Sequence, residues 1–236
     1  MDGICKGAVI QKAAGLDDGE LALVNAQTLR PMTAEEVFTF KLAACGNRID
    51  RDFERFTDEA LEQTAKLYVG KPVLRDHAWH DGSQTARVYA AGVEDCGDSK
   101  RLVLRCYMPR TDGTAETITA IESGVIRECS VGLRVGKSVC SVCGMVQQKA
   151  MCPHWPGKEY GGKLCHFDLD DIRDAYEVSL VAVPAQPEAG VIKAKRYGGQ
   201  APQAEGGAEE PPQESSKALQ AAKARLELEK IRYGGN

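Results

Sequence analysis

The pattern that most constrains this chain is a cluster of metal-type ligands set between two strand-like runs. Cys140-Ser-Val-Cys143, Cys152-Pro-His154 and Cys165-His166 fall between residues 127–135 and residues 175–183. Two thiolates at Cys-x2-Cys spacing span one edge of a tetrahedral ion, and Cys152 with His154 completes a Cys3His set. Cys165 is a fifth candidate, able to replace either of the last two. The chain has nine cysteines, an odd count, and Met1-Asp-Gly-Ile-Cys5 lacks a basic-then-apolar signal pattern. Reduced thiols are therefore expected, in the compartment where the protein is made, with the clustered set holding zinc rather than forming disulfides. More protein ligands than positions leaves no open coordination site, so the zinc is expected to be structural. No His-Glu-x-x-His pattern is present to support a metallohydrolase.

Residues 37–42, Val-Phe-Thr-Phe-Lys-Leu, alternate and are rich in aromatic and β-branched side chains, which predicts a strand. Further strands are expected at 72–77, 85–93, 102–108, 128–135 and 176–183, the last stopped by Pro184. Thr57 followed by two acids predicts a helix through Tyr68, closed by Gly70. A second helix is expected over 114–123, before Gly124. Many strands with few helices predict an α+β fold, a β-barrel or strongly bent antiparallel sheet flanked by helices. Residues 1–34 form an N-terminal segment and 35–197 the main domain, with 137–166 as a small metal-knuckle insertion. Residues 198–216 carry no large apolar side chain and predict a flexible linker. Residues 217–233 predict a C-terminal helix that needs a partner surface. Arg-Tyr-Gly-Gly occurs at both 196–199 and 232–235. It reads either as glycine-terminated element ends or as a repeated recognition or processing site. The net charge of −4 removes the electrostatic footprint of a nucleic-acid binder, and no apolar run reaches membrane-spanning length.

In the run Arg127-Glu-Cys-Ser-Val-Gly-Leu-Arg-Val135, alternation puts Cys129, Val131, Leu133 and Val135 on an apolar face. Ser130, Gly132 and Arg134 share the other face, where Gly132 leaves the space beside the hydroxyl empty, as if for a substrate backbone. A serine there is either solvated or a nucleophile awaiting a base. His77, at the end of a strand-like run, is the candidate base, and the alternative is a packed histidine beside Trp79. Glu177 lies among apolar residues, where an unpaired carboxylate is costly. Its partner is either a histidine, as in a serine triad, or an arginine such as Arg173. Cys106 and Cys129 read as small core hydrophobes.

Several segments together resemble the tailed-phage prohead maturation proteases. They are Phe38-Thr-Phe-Lys41, Asp50-Arg-Asp-Phe-Glu-Arg-Phe-Thr57, Val69-Gly-Lys-Pro72, Asp76-His77, Cys129-Ser-Val-Gly132 and Glu177-Val-Ser-Leu-Val-Ala-Val-Pro-Ala-Gln-Pro187. The resemblance spans about residues 35–193 in order. It implies a serine endopeptidase of assemblin-like β-barrel fold, active in the host bacterial cytoplasm inside the phage procapsid. Implied substrates and partners are scaffold, the extension of the major capsid protein, the protease itself and the portal, in a homo-oligomeric assembly without nucleic acid or membrane. By position, Ser130 matches the nucleophile, His77 the base and Glu177 the orienting acid, with His166 competing for the third place. A Cys-rich insert is similar to that of one branch of the family. The competing reading is a catalytically inactive, zinc-stabilised head-assembly or scaffolding protein.

Overall fold

In a computed structural model of the chain, residues 16–187 and 189–191 are described. The chain runs α1 (Asp18–Asn25), β1 (Val37–Gly46), β2 (Glu54–Phe56), α2 (Asp58–Tyr68) and β3 (Pro72–Arg75). It continues through β4 (Ala86–Asp95), β5 (Lys100–Pro109), α3 (Asp112–Glu122) and β6 (Cys129–Cys140). The hairpin β7 (Glu159–Tyr160) and β8 (Lys163–Leu164) precedes β9 (Phe167–Leu180) and β10 (Gly190–Val191). The expected linker, the C-terminal helix, Cys5 and both Arg-Tyr-Gly-Gly sites lie outside the described residues.

The α+β class is as expected, but the sheet is open and does not close into a barrel. Its order is β10-β1-β5-β4-β3-β9-β2, with β6 also pairing β9. A barrel needs a continuous ladder at every junction. Here β10 is two residues long and meets the chain before β6 only through an isolated bridge, Glu128 to Gly190. Nor is the sheet purely antiparallel, since β2 and β3 both run parallel to β9. Helix α2 carries the chain from the end of one to the start of the other, which gives both the same direction.

Burial explains most of the elements. Phe38, Phe40 and Leu42 of β1 join Leu102, Leu104 and Met108 of β5 in one core with Leu61 and Tyr68 of α2 and Ile121 of α3. Helix α2 buries Ala60, Leu61, Thr64, Ala65 and Tyr68, one stripe at helical spacing. Thr57 caps it by accepting from the Ala60 amide at 3.1 Å, and Gly70 ends it at φ +85°. Helix α3 begins two residues ahead of the expected Thr114, because Thr114 is the third residue of a capping box and accepts from the Thr111 amide at 3.0 Å.

Two elements were hidden in the sequence. Helix α1, in the segment 1–34, covers the opposite face of the sheet, where Val24 packs with Val37, Tyr89 and Tyr107. Its Glu20 accepts from the Tyr89 hydroxyl and the Arg105 guanidinium. Strand β9 begins at Phe167 rather than 176, because its acidic first half reads as a loop. Those acids are paired sideways, Arg55 to Asp168 at 2.5 Å and Lys137 to Asp170 at 3.3 Å. The β6–β9 ladder thus extends to Cys140 opposite Phe167. No helix among the described residues is long and apolar enough to cross a membrane.

Buried Tyr68 reaches from α2 to the sheet, its hydroxyl 3.0 Å from the Glu177 carbonyl and 3.2 Å from the Gly132 carbonyl. Replacing Tyr68 by Phe leaves two buried acceptors without that donor. The expected loss is about 1–3 kcal/mol of stability, read from the urea midpoint at unchanged slope.

Candidate active site and metal centre

Strand β9 places two polar side chains on its non-core face. Val178 and Leu180 point into the core, so Glu177 and Ser179 point away, yet Glu177 is only 2% exposed and Ser179 fully buried. A buried carboxylate must be met by donors. Ser179 Oγ donates to Glu177 Oε2 at 2.6 Å, and His77 Nδ1 lies 2.7 Å from Glu177 Oε1. The Ser179 hydroxyl proton is thereby committed, so its oxygen is free to accept from the His77 amide at 3.0 Å. Both carboxylate oxygens are satisfied, and the imidazole proton is drawn to Nδ1. Nε2 is left as the basic edge of a ring that is 40% exposed. The arginine alternative does not occur, because Arg173 Nε pairs with Asp171 at 2.8 Å.

Local backbone geometry delivers His77 to this position. After β3 the chain continues the parallel ladder for one bond, Asp76 amide to Leu180 carbonyl at 3.0 Å. Asp76 and His77 then both adopt φ +52°, and the Ala78 amide closes the turn onto the Arg75 carbonyl at 3.0 Å. Left-handed backbone is unfavourable for side-chain-bearing residues, with aspartate among the more tolerant. The turn folds the imidazole back over β9. His80, three residues on, makes no hydrogen bond to Glu177 among the described residues.

Strand β6 supplies the third member. Ser130 is directly opposite Ser179 and Gly132 directly opposite Glu177 in the antiparallel register. Directly opposed side chains share a face about 4.5–5.5 Å apart. Ser130 therefore stands beside the Glu177–Ser179–His77 group and is half-buried. Its hydroxyl makes no hydrogen bond to His77 among the described residues, so the structure brings His77 and Glu177 into contact and sets Ser130 next to them. The space beside Ser130 is not empty as the sequence led us to expect. A Cβ on Gly132 would collide with Glu177 Oε1 and lie 3.0 Å from Cδ. Gly132 is required by the carboxylate, not by a substrate backbone.

Ser179 escaped the sequence reading. Its signal was the Glu-x-Ser spacing, which puts two side chains on one face of a strand. His166 is not near this group. It follows the hairpin just before Phe167, which pairs with Cys140, eight residues along β6 from Gly132. At ~3.3 Å per residue that is roughly 26 Å. Its Nε2 faces Asp168 at 3.4 Å instead.

The opposite end of the ladder carries the candidate metal centre. Cys140 closes β6, and Gly144 turns the knuckle with its amide donating to the Cys140 carbonyl at 2.8 Å. The ligand atoms of Cys140, Cys143, Cys152 and His154 all lie within 4.8 Å of one another. Zinc–sulfur bonds of ~2.3 Å give tetrahedral edges of about 3.8 Å, so this set fits a metal such as zinc with little adjustment. Cys140 Sγ and His154 Nδ1 are already 3.8 Å apart. Cys165 lies against the cluster, 3.9 Å from Cys140 Sγ, delivered by the β7–β8 hairpin whose Gly161 and Gly162 turn at φ +60° and +78°. Burial, then the neighbouring Cys140, pushes the Cys165 thiol up to about 11. For Cys140 itself burial acts upward, but the amides of Cys143 and Val142 outweigh it and hold the thiol below its ordinary value. Cys106 and Cys129, by contrast, are fully buried core residues.

Compared with known proteins, the chain matches no protein-family model, no curated protein and no solved structure.

Two measurements probe this geometry. Gly132→Ala should displace the Glu177 side chain and cost about 2–4 kcal/mol, whereas the same change beside Glu177→Ala should cost about 1 kcal/mol or less, a coupling seen by a denaturation double-mutant cycle. Thiol modification with a zinc indicator should release about one ion per chain, and Cys143→Ser should lower that yield.

Proposed function

We propose that this chain is a serine endopeptidase that matures the phage procapsid, with Ser130 as nucleophile, His77 as general base and Glu177 as the acid that orients it. One observation carries the reading. Three groups separated by 53 and 47 positions along the chain (77, 130, 177) meet on one face of the β3–β9–β6 sheet, with Glu177 bonded to His77 Nδ1. A histidine so held presents Nε2 as acceptor, the protonation state a serine nucleophile requires. The phage assignment rests on the segments of resemblance.

In this reading a bound peptide closes the remaining gap between Ser130 and the ring, as hydrogen bonds in unliganded sites commonly tighten with substrate. Ser130 Oγ attacks the scissile carbonyl carbon while its proton passes to His77 Nε2. The new C–O bond forms a tetrahedral centre whose oxyanion is met by backbone amides. Collapse breaks the C–N bond, and the proton on Nε2 goes to the departing amine. Water then attacks the acyl-enzyme, giving a proton back through His77, and the carboxylic acid leaves with Ser130 restored. Glu177, bonded to Nδ1, orients the ring and stabilises the imidazolium formed in each half-reaction. Ser179 acts through Glu177 and the His77 amide, as a positioning residue.

The zinc in this reading is structural. The Cys140, Cys143, Cys152 and His154 set ties down the connection between β6 and β9 about 26 Å along the ladder from Gly132, too far to share the chemistry. Substrates would be the scaffold, the major capsid protein extension and the protease itself within the assembling head. The missing Ser130–His77 hydrogen bond is the observation that favours the second reading, an inactive zinc-stabilised assembly protein.

Co-expression with capsid and scaffold proteins decides between them. Intact mass should show processing by wild type, a loss of about a thousandfold or more in Ser130→Ala and His77→Ala, and roughly 10²–10⁴ in Glu177→Gln. Wild-type protein that leaves itself and both partners whole would establish the assembly role instead.

A further inference from the structure

We propose that the cleft on the β3 side of Glu177 is a substrate subsite for the tyrosine of Arg-Tyr-Gly-Gly, the sequence this chain carries twice, at 196–199 and 232–235. The proposal rests on the peptidase reading above and deepens it by naming what the site recognises.

The cleft has a volume of about 430 Å³, with Pro72, Leu74 and Ala175 among its lining and Trp79 and Tyr176 as aromatic walls. Trp79 is 69% exposed, in a T-shaped contact with Tyr176 at 5.5 Å between ring centroids. With the apolar lining beside it, the exposed indole makes one accessible apolar surface rather than a lone exposed side chain. Both walls are held in place by specific features. Tyr176 is the extra residue of a β-bulge, since Gly132 pairs with Glu177 and Leu133 already with Ala175. The bulge turns Tyr176 outward beside Glu177. Trp79 sits in a loop gathered around buried Ser83, whose hydroxyl donates to the Ala78 carbonyl and lies 2.7 Å from the His80 carbonyl. The hollow is therefore pre-formed rather than assembled on contact.

Its position and chemistry select the occupant. Glu177 belongs to both the cleft lining and the catalytic group, so the two are adjacent. β3 is two strands from β6 across β9, about 10 Å at ~4.8 Å spacing, which equals three residues of extended peptide. A side chain in the cleft thus belongs two or three residues from the scissile bond. An aromatic ring in the cleft packs against the paired indole and phenol, which favour edge and offset contacts. Asp81 on the rim has no basic partner among the described residues and suits an adjacent arginine. Lys71, also in the lining, is paired with Asp174 at 3.3 Å and so is not free to repel it. Arg-Tyr-Gly-Gly offers that arginine, that ring and two residues with no side chain to obstruct the approach to Ser130.

The test uses calorimetry on the full-length chain carrying Ser130→Ala, Tyr197→Ala and Tyr233→Ala, so that no internal copy competes. Acetylated and amidated Arg-Tyr-Gly-Gly should bind at least tenfold more tightly than Arg-Ala-Gly-Gly. Adding Trp79→Ala should abolish the difference, and Trp79→Phe should keep it within about threefold. Equal binding of the two peptides, no binding of either, or a preference that survives Trp79→Ala would overturn the subsite. Hydrolysis is scored separately, with Ser130 intact. Ser130-dependent cleavage of other peptides without a Trp79-dependent tyrosine preference sinks the subsite alone. Tyrosine-selective binding without any Ser130-dependent cleavage keeps the cleft as a recognition site and removes the peptidase reading.

Discussion

A carboxylate buried against a glycine organises this molecule. Glu177 has almost no exposure to water, so its charge depends on donors that the surrounding strands and loops must supply. Gly132 opposite it leaves the space the carboxylate occupies, Ser179 on the same strand holds one oxygen, and His77 holds the other. Tyr68 secures the two carbonyls of the Gly132–Glu177 pair from the helix side. A one-residue slip of β6 against β9 would put Val131 or Leu133, each with a bulky side chain, opposite Glu177 in place of Gly132. The register of that ladder is therefore tied to the charge it shelters.

Around this group the fold divides rigid and adjustable parts. Two successive left-handed residues fix where the imidazole lands, and the bulge at Tyr176 fixes the neighbouring aromatic wall. The distance between Ser130 and the ring is the one element of the site left to be closed, and in the proposed enzyme an incoming peptide closes it. The metal cluster acts on the far end of the same two strands, where Cys140 pairs next to the hairpin that carries Cys165. A long connection joins β6 to β9 there, and an ion bound by the cluster would cross-link it and lower the entropy lost in pairing them.

Much of this architecture was legible in the residues themselves. Cys-x2-Cys spacing, helix capping at Thr57 and alternation along 37–42 and 129–135 are local signals, carried by neighbours in the chain, and the structure reproduces them. Ser130, His77 and Glu177 could be nominated from residue type and resemblance, since each stands out chemically against its surroundings. What could not be read locally were facts about neighbours across the sheet. These include the partner of Glu177, the purpose of Gly132, the role of Ser179 and the strand hidden in the acidic residues 167–174. The open sheet in place of a barrel belongs to the same class, because closure turns on how far β10 extends along its partner.

The sequence by itself determined which groups were available, a strand serine, two imidazoles outside the cysteine cluster, an acid among apolar residues and a cysteine-rich set of candidate metal ligands. Only the tertiary structure decided which of them touch. Side-chain chemistry is a property of single residues, whereas a hydrogen bond between positions 77 and 177 depends on strand order, register and one bulge. Those are set jointly by burial over the whole core and are written in no single segment.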